Sequence, residues 1–381
     1  MKHKVLRKRF PLRALVPAVL AVATLALACE EEEEVATPTP TPVVLTSADF
    51  ARDGQFKVGV TRMTFIDPSR PIMPSGDFSG TPDRRIDTVI WYPADTTEEG
   101  VVSDAPVLTE AWPFPLLISS HGLSAPPDSQ SFLTIHLASH GYVVAAPCFP
   151  LTCQASFTGV LLERKDVENQ PGDVSFVIDS MLALNAGGPA PGAEAGTAPD
   201  FRGAIDPDRI GAFGLSLGAI TTYNVTFGDG WPDERIKASV SMAGADPERV
   251  ASVSVPVLFF GGSRDLLLPF DTNSPPAFEQ ALPPKFAAKI IGGTHVWFTD
   301  FTEMFQEFAN PDIGACEAVG WECVEEEQAP LIDPQRQHEL VKIVVTAFFK
   351  AFLKGDAAAL RFLRQRVQEE NKADLEFMFA E

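Results

Sequence analysis

The chain has 381 residues, 45% hydrophobic and 21% charged, which is globular composition long enough for one large α/β domain. Its formal charge of −21 repels nucleic acid and anionic membrane surfaces, so both partner classes are set aside. The acidic excess itself reads as a solvated surface that favours solubility.

The N-terminus departs from that average. Lys2, Lys4, Arg7, Lys8, Arg9 and Arg13 precede an apolar run from Ala14 to Ala28, and no acid occurs before Glu30. That is the layout of a secretory signal over residues 1–28. Its removal takes away six basic residues and no acid, moving the charge from −21 to −27. Leu25-Ala26-Leu27-Ala28-Cys29 can be read as a bacterial lipobox with Cys29 lipidated, although Leu27 stands where a small residue is usual. It can also be read as an ordinary small-residue cleavage site that leaves Cys29 free. Lipidation is favoured because residues 29–50 look like a tether, with acids from Glu30 to Glu34 and the semi-rigid run Thr37-Pro-Thr-Pro-Thr-Pro42. The expectation is an exported, envelope-bound protein whose membrane contact runs through this anchor alone, a secreted soluble form being the alternative. Residues 51–369 are expected to form one domain, followed by a C-terminal tail over residues 370–381.

Gln55 to Thr64 and Arg85 to Tyr92 alternate and predict a hairpin at a sheet edge. Phe114 to Ser119 and Tyr142 to Ala146 are apolar throughout, as suits parallel strands covered on both faces. Ser131 to His140 and Asp173 to Leu184 predict helices, the second with a stripe of Val174, Val177, Ile178 and Leu182. A Gly-, Ala- and Pro-rich connection follows from Asn185 to Asp206. Strands are expected at Arg209 to Phe213, Ile236 to Met242, Pro256 to Phe260 and Lys289 to Ile291. Helices Gln337 to Leu353 and Ala357 to Val367 close the chain. Such alternation argues for a single, mostly parallel, doubly wound sheet with an antiparallel N-terminal edge.

The strand at Arg209 to Phe213 runs into Gly214-Leu215-Ser216-Leu217-Gly218 and then a helix to Val225. That is the context of a nucleophile elbow, a strained turn around Ser216 that needs the small residues Gly214 and Gly218 for strand and helix to approach. Serine needs a base, and the base needs an acid to fix its tautomer. Asp265 follows the strand ending at Phe260, and His295 follows the strand at Lys289 to Ile291, giving the order Ser, Asp, His. Asp246, Asp271 and Asp300 are the alternatives to Asp265. Of the other histidines, His3 lies in the signal, while His136, His140 and His338 read as surface or packing residues. An oxyanion would take its N–H donors from Leu217 and, in the loop Ser120-His121-Gly122-Leu123-Ser124, from Leu123. His121 then shapes that loop and is not a second base. No metal-ligand spacing is present, and this chemistry requires no cofactor.

Beyond Cys29, the cysteines are Cys148, Cys153, Cys316 and Cys323, an even number that permits two disulfides in an exported chain. Three connectivities exist. The sequence-local pairs, Cys148 with Cys153 and Cys316 with Cys323, are the first choice, with free buried thiols as the alternative.

From Asp87 to about Arg361 the chain resembles α/β-hydrolases of the platelet-activating factor acetylhydrolase and dienelactone-hydrolase-like group. The resemblance rests on His121-Gly-Leu, Gly141-Tyr-Val-Val-Ala-Ala, Asp173-Val-Ser-Phe-Val-Ile-Asp, Asp206-Pro-Asp-Arg-Ile-Gly, the elbow, and His295-Val-Trp-Phe-Thr-Asp-Phe301. It implies an α/β-hydrolase fold and a serine ester hydrolase acting on small or short-acyl esters such as phospholipids of the platelet-activating-factor type. Dienelactone hydrolases proper carry cysteine where this chain has Ser216, which points away from their reaction. Many esterases have His or Tyr where this chain has Leu215. Val296, Trp297, Phe298, Phe301 and Phe305 after the base favour an apolar acyl or aryl ester. A cutinase-like polyester hydrolase is the alternative within the class, and a non-catalytic envelope lipoprotein the alternative outside it. Residues 310–334 read as an insertion able to cover the site, and the oligomeric state is left open.

Overall fold

The apolar runs of the sequence become the middle of one sheet. A computed structural model describes residues 43–111, 113–153, 164–190, 199–228, 232–246, 254–324 and 330–381. The expected signal, Cys29 and most of the tether lie outside the described residues. The strands are β1 (Val58–Asp67), β2 (Arg84–Pro93), β3 (Val101–Ser103), β4 (Phe114–Ser120), β5 (Val143–Cys148), β6 (Ile205–Leu215), β7 (Ile236–Met242), β8 (Val257–Gly262), β9 (Lys285–Ile290) and β10 (Leu375–Ala380). The helices are α1 (Ser47–Ala51), α2 (Ser131–Ser139), α3 (Arg164–Val167), α4 (Gln170–Asn185), α5 (Leu217–Phe227), α6 (Phe270–Gln280), α7 (Pro311–Ala318), α8 (Pro334–Leu353), α9 (Ala357–Gln365) and α10 (Val367–Glu370).

The strand order is β10-β9-β8-β7-β6-β4-β5-β2-β1-β3. β5, β4, β6, β7, β8 and β9 run parallel, and β2 joins them antiparallel to both β5 and β1. Every residue of β4, β5 and β8 is buried, as strands covered on both faces must be. Alternate residues serve the two faces. Leu117, Phe213, Val240 and Phe260 pack with Leu133 of α2 and with Leu340, Val344 and Phe348 of α8. Leu116, Ile118, Ile210 and Ala212 pack with Val174, Val177 and Met181 of α4 on the other side. This is a doubly wound α/β-hydrolase sheet.

Of the boundaries that differ from the sequence reading, four change the architecture. The hairpin β1–β2 does not end the sheet, because the short β3 pairs in parallel with β1 outside it. β9 begins at Lys285, four residues before the expected Lys289. Its Phe286-Ala-Ala-Lys289 core is poor in β-branched residues, which hides it. The supposed tail holds β10, which pairs antiparallel with β9 and stacks Phe377 and Phe379 beside Phe286. The tether ends early: α1 opens on a capping box between Thr46 and Asp49, and Phe50 is fully buried, its ring centroid 4.7 Å from that of Phe362.

Both sequence-local disulfides form, Cys148–Cys153 and Cys316–Cys323. Paired cysteines of this kind mark an exported chain. No described helix is long and apolar enough to cross a membrane.

Candidate active site

β6 delivers Ser216 at a turn that only this sequence pattern allows. Ser216 has φ 57° and ψ −118°, strained for a residue with a side chain. A Cβ on Gly214 would lie 2.2 Å from the Gly218 carbonyl oxygen, and one on Gly218 would lie 2.1 Å from that of Ser120. Backbone meets backbone at both places, so neither position accepts a side chain. The Ser216 N–H donates to the Met242 carbonyl at 2.9 Å, pinning the turn to β7. Leu217 opens α5, so its own N–H has no partner within the helix and points from the positive end of the helix dipole. Leu215 is buried in the core beside β7.

The loops after β8 and β9 are bound into one piece. Ser263 N–H donates to the Ile290 carbonyl and Arg264 N–H to the Gly293 carbonyl, each at 2.8 Å. A Cβ on Gly262 would meet the Gly293 carbonyl oxygen at 2.1 Å, so glycine is needed for the loops to touch. Their side chains meet beyond that contact: His295 Nδ1 lies 2.8 Å from Asp265 Oδ2. Asp265 Oδ1 accepts from the N–H groups of Leu267 and Leu268 at 3.0 and 2.7 Å, which fixes the carboxylate. Nδ1–H donation to that carboxylate leaves Nε2 with a free lone pair, the tautomer a general base requires. Burial works against the imidazolium, but the charge and hydrogen bond of Asp265, with the charge of Asp312, outweigh it and raise the His295 pKa.

The loop after β4 faces Ser216. A Cβ on Gly122 would sit 3.5 Å from the Ser216 Cβ, so the glycine leaves this space open. His121 shapes the loop: Nδ1 donates to the Gly122 carbonyl at 2.7 Å, and Nε2 accepts the Phe149 N–H at 3.0 Å. With both nitrogens engaged and burial lowering its pKa to about 4, the ring is neutral. Ser124 N–H donates to the Thr152 carbonyl at 2.8 Å, so the segment closed by Cys148–Cys153 braces the loop that carries Leu123. Ser216, Gly122, Asp265 and His295 thus all follow carboxyl ends of parallel strands, on one edge of the sheet.

Of the rival acids, Asp300 and Asp271 are engaged elsewhere, and so are the other described histidines. Asp300 caps α2 by accepting from the N–H groups of Ser131 and Phe132, and Asp271 pairs with Lys289. His136 bonds Asp53 and the Phe50 carbonyl, His140 the Arg52 carbonyl, and His338 the Thr299 carbonyl while stacking on Phe132. Among the described residues no group of acids, histidines and cysteines could hold a metal.

One residue escaped the sequence reading. Asp312, in the first turn of α7, is fully buried against the loops of Asp265 and His295. The string Asn310-Pro-Asp312 is a legible helix start, with Asn310 Oδ1 accepting the Asp312 N–H at 3.0 Å. Nothing local reveals that its carboxylate turns inward. The segment expected to cover the site is thus tied at its first residues to the loops of Asp265 and His295, while residues 325–329 lie outside the described residues.

Residues 78–183 match the family model for platelet-activating factor acetylhydrolase, isoform II, a span that includes the Gly122 loop and stops before Ser216. Among solved structures the chain is similar to a ferulic acid esterase from Streptomyces cinnamoneus, with 21% identity and a TM-score of 0.60 over 86% of this chain and 98% of that one. No curated protein matches the chain. The likeness to that structure shows an α/β-hydrolase fold, and one segment of the chain matches the platelet-activating factor acetylhydrolase family model.

Proposed function

We propose that the chain is a serine carboxylic-ester hydrolase that works through an acyl-enzyme. Ser216 Oγ attacks the ester carbonyl carbon while His295 Nε2 takes its proton, and Asp265 holds the Nδ1–H. The tetrahedral oxyanion rests on the N–H groups of Leu123 and Leu217. His295 then returns the proton to the leaving alcohol, and a water repeats the cycle on the acyl-enzyme. The observation that carries this reading is the 2.8 Å contact of His295 with Asp265, made on the sheet edge where Gly122 faces Ser216.

The family match favours small or short-acyl esters, including phospholipids of the platelet-activating-factor type. The structural neighbour, a ferulic acid esterase, adds aryl acyl groups as a second reading. Lipidation of Cys29 would keep the enzyme at the cell envelope.

A fluorophosphonate probe should label the folded protein at Ser216. Ser216→Ala should abolish labelling and ester turnover without lowering the melting temperature. Turnover surviving in that variant would remove Ser216 as nucleophile, and no labelling of the folded wild type would leave a non-catalytic envelope lipoprotein. Acetyl-phospholipid, feruloyl and graded-length acyl esters, compared by kcat/KM, identify the acyl group.

A further inference from the structure

The Asp265–His295 pair does not stand alone. Behind it, the fully buried Asp312 carboxylate accepts three backbone N–H groups from both active-site loops. Oδ2 takes the N–H of Leu266 at 3.0 Å and that of His295 at 2.8 Å, and Oδ1 takes that of Val296 at 2.9 Å. Leu266 is the residue after Asp265, and the other two are the candidate base and its neighbour. Asn310 adds a fourth tie, its Nδ2 donating to the Arg264 carbonyl at 3.0 Å. One short stretch at the start of α7 thus sets the distance between the two loops.

We propose that Asp312 is a positioning residue of the acyl-transfer centre, clamping the Asp265 and His295 loops together and placing a second negative charge beside the imidazole. The proposal rests on the ester-hydrolase reading and adds to it a part of the site outside the Ser, Asp, His set.

A buried carboxylate is costly unless it is hydrogen-bonded or paired. Here three N–H groups supply the hydrogen bonds, and the charged groups acting on Asp312 are Asp265, which repels it, and His295, which attracts it when protonated. Burial and Asp265 together push its pKa up to about 7, while Asp265 and Asp312 raise that of His295. The protonation of Asp312 and that of the His295 imidazole therefore influence each other. When Ser216 hands its proton to His295, the positive ring forms against Asp265 and within the field of Asp312. The carboxylate of Asp312 does not touch substrate; it acts through the position and basicity of His295.

Asp312→Asn keeps the shape, removes the charge and turns one acceptor atom into a donor facing an N–H. With its charge gone, His295 should protonate less readily. The acid limb of kcat/KM should move down by roughly half to one pH unit, with kcat reduced about tenfold and KM within about twofold. The rate of fluorophosphonate labelling against pH should show the same shifted limb. A variant that keeps the wild-type limb and kcat overturns the proposal while leaving the hydrolase reading in place, whereas wild-type protein that never labels removes that reading itself. If the variant does not fold, the unaltered protein still decides. The His295 ring signal, assigned by its loss in His295→Gln, should titrate in two steps by NMR, one its own and one from Asp312. A single simple step would refute the coupling.

Discussion

His121 offers a quantitative test of how the Gly122 loop is held. Its ring is 2% exposed, with Nδ1–H bound to the Gly122 carbonyl and Nε2 to the Phe149 N–H, and burial lowers its pKa from 6.5 to about 4. The unfolded chain takes up a proton here as the pH falls through about 6.5, and the folded chain does not until about 4. Stability from this group is therefore present above about 6.5 and drains as the pH falls towards about 4. Between about pH 7.5 and about pH 4.5 the loss is about 2.5 kcal/mol. His136, His140 and His338 drain stability in the same direction, His140 with a pKa lowered to about 3, so the wild type alone cannot isolate the effect. His121→Gln can. The amide retains a donor and an acceptor, and imperfect geometry should cost about 1 kcal/mol at about pH 7.5. By about pH 4.5 the deficit should have reversed, the variant being the more stable. Urea unfolding at the two pH values, with disulfides intact, measures the difference. Parallel pH dependence in the two proteins would refute the claim that the loop is pinned by a neutral, desolvated imidazole.

Two further outcomes follow from close contacts. Gly218→Ala would drive a methyl group to 2.1 Å from the Ser120 carbonyl oxygen, forcing β4 and α5 apart; a loss of about 3 kcal/mol or more should appear as a lowered melting temperature. Replacing Cys148 and Cys153 together by alanine opens a loop with a sequence separation of 5 and should cost about 2 kcal/mol in urea unfolding. Because Thr152 and Phe149 of that loop bond Ser124 and His121, fluorophosphonate labelling should slow severalfold. Parental labelling would detach the disulfide from the proposed role of the Leu123 loop.

The sheet was legible where burial is symmetric. Strands such as Leu116-Leu-Ile118 and Val257-Leu-Phe-Phe260 are covered on both faces and carry apolar residues at every position. The elbow was legible because two backbone contacts demand glycine at Gly214 and Gly218. Asp265 and His295 were legible as polar residues just past strand ends, where a parallel sheet gathers its loops. What stayed hidden depends on partners distant in sequence. β10 is short and half exposed, and it becomes a strand only because β9 offers a free edge. Phe50 follows a stretch of tether-like composition, and only α8 and α9 make it core. Asp312 reads as an ordinary first-turn acid until α7 is laid against loops some 46 and 17 residues away.

The disulfides also bear on the order of assembly. Each joins cysteines close in sequence, at separations of 5 and 7, so neither needs a distant part of the chain to be in place. A chain emerging on the far side of a membrane can oxidise either pair before any strand has found its neighbour, and neither bond commits it to a wrong topology. The slow pairings of a parallel sheet can then proceed without competing thiols, and the two loops that flank the reactive edge arrive already closed.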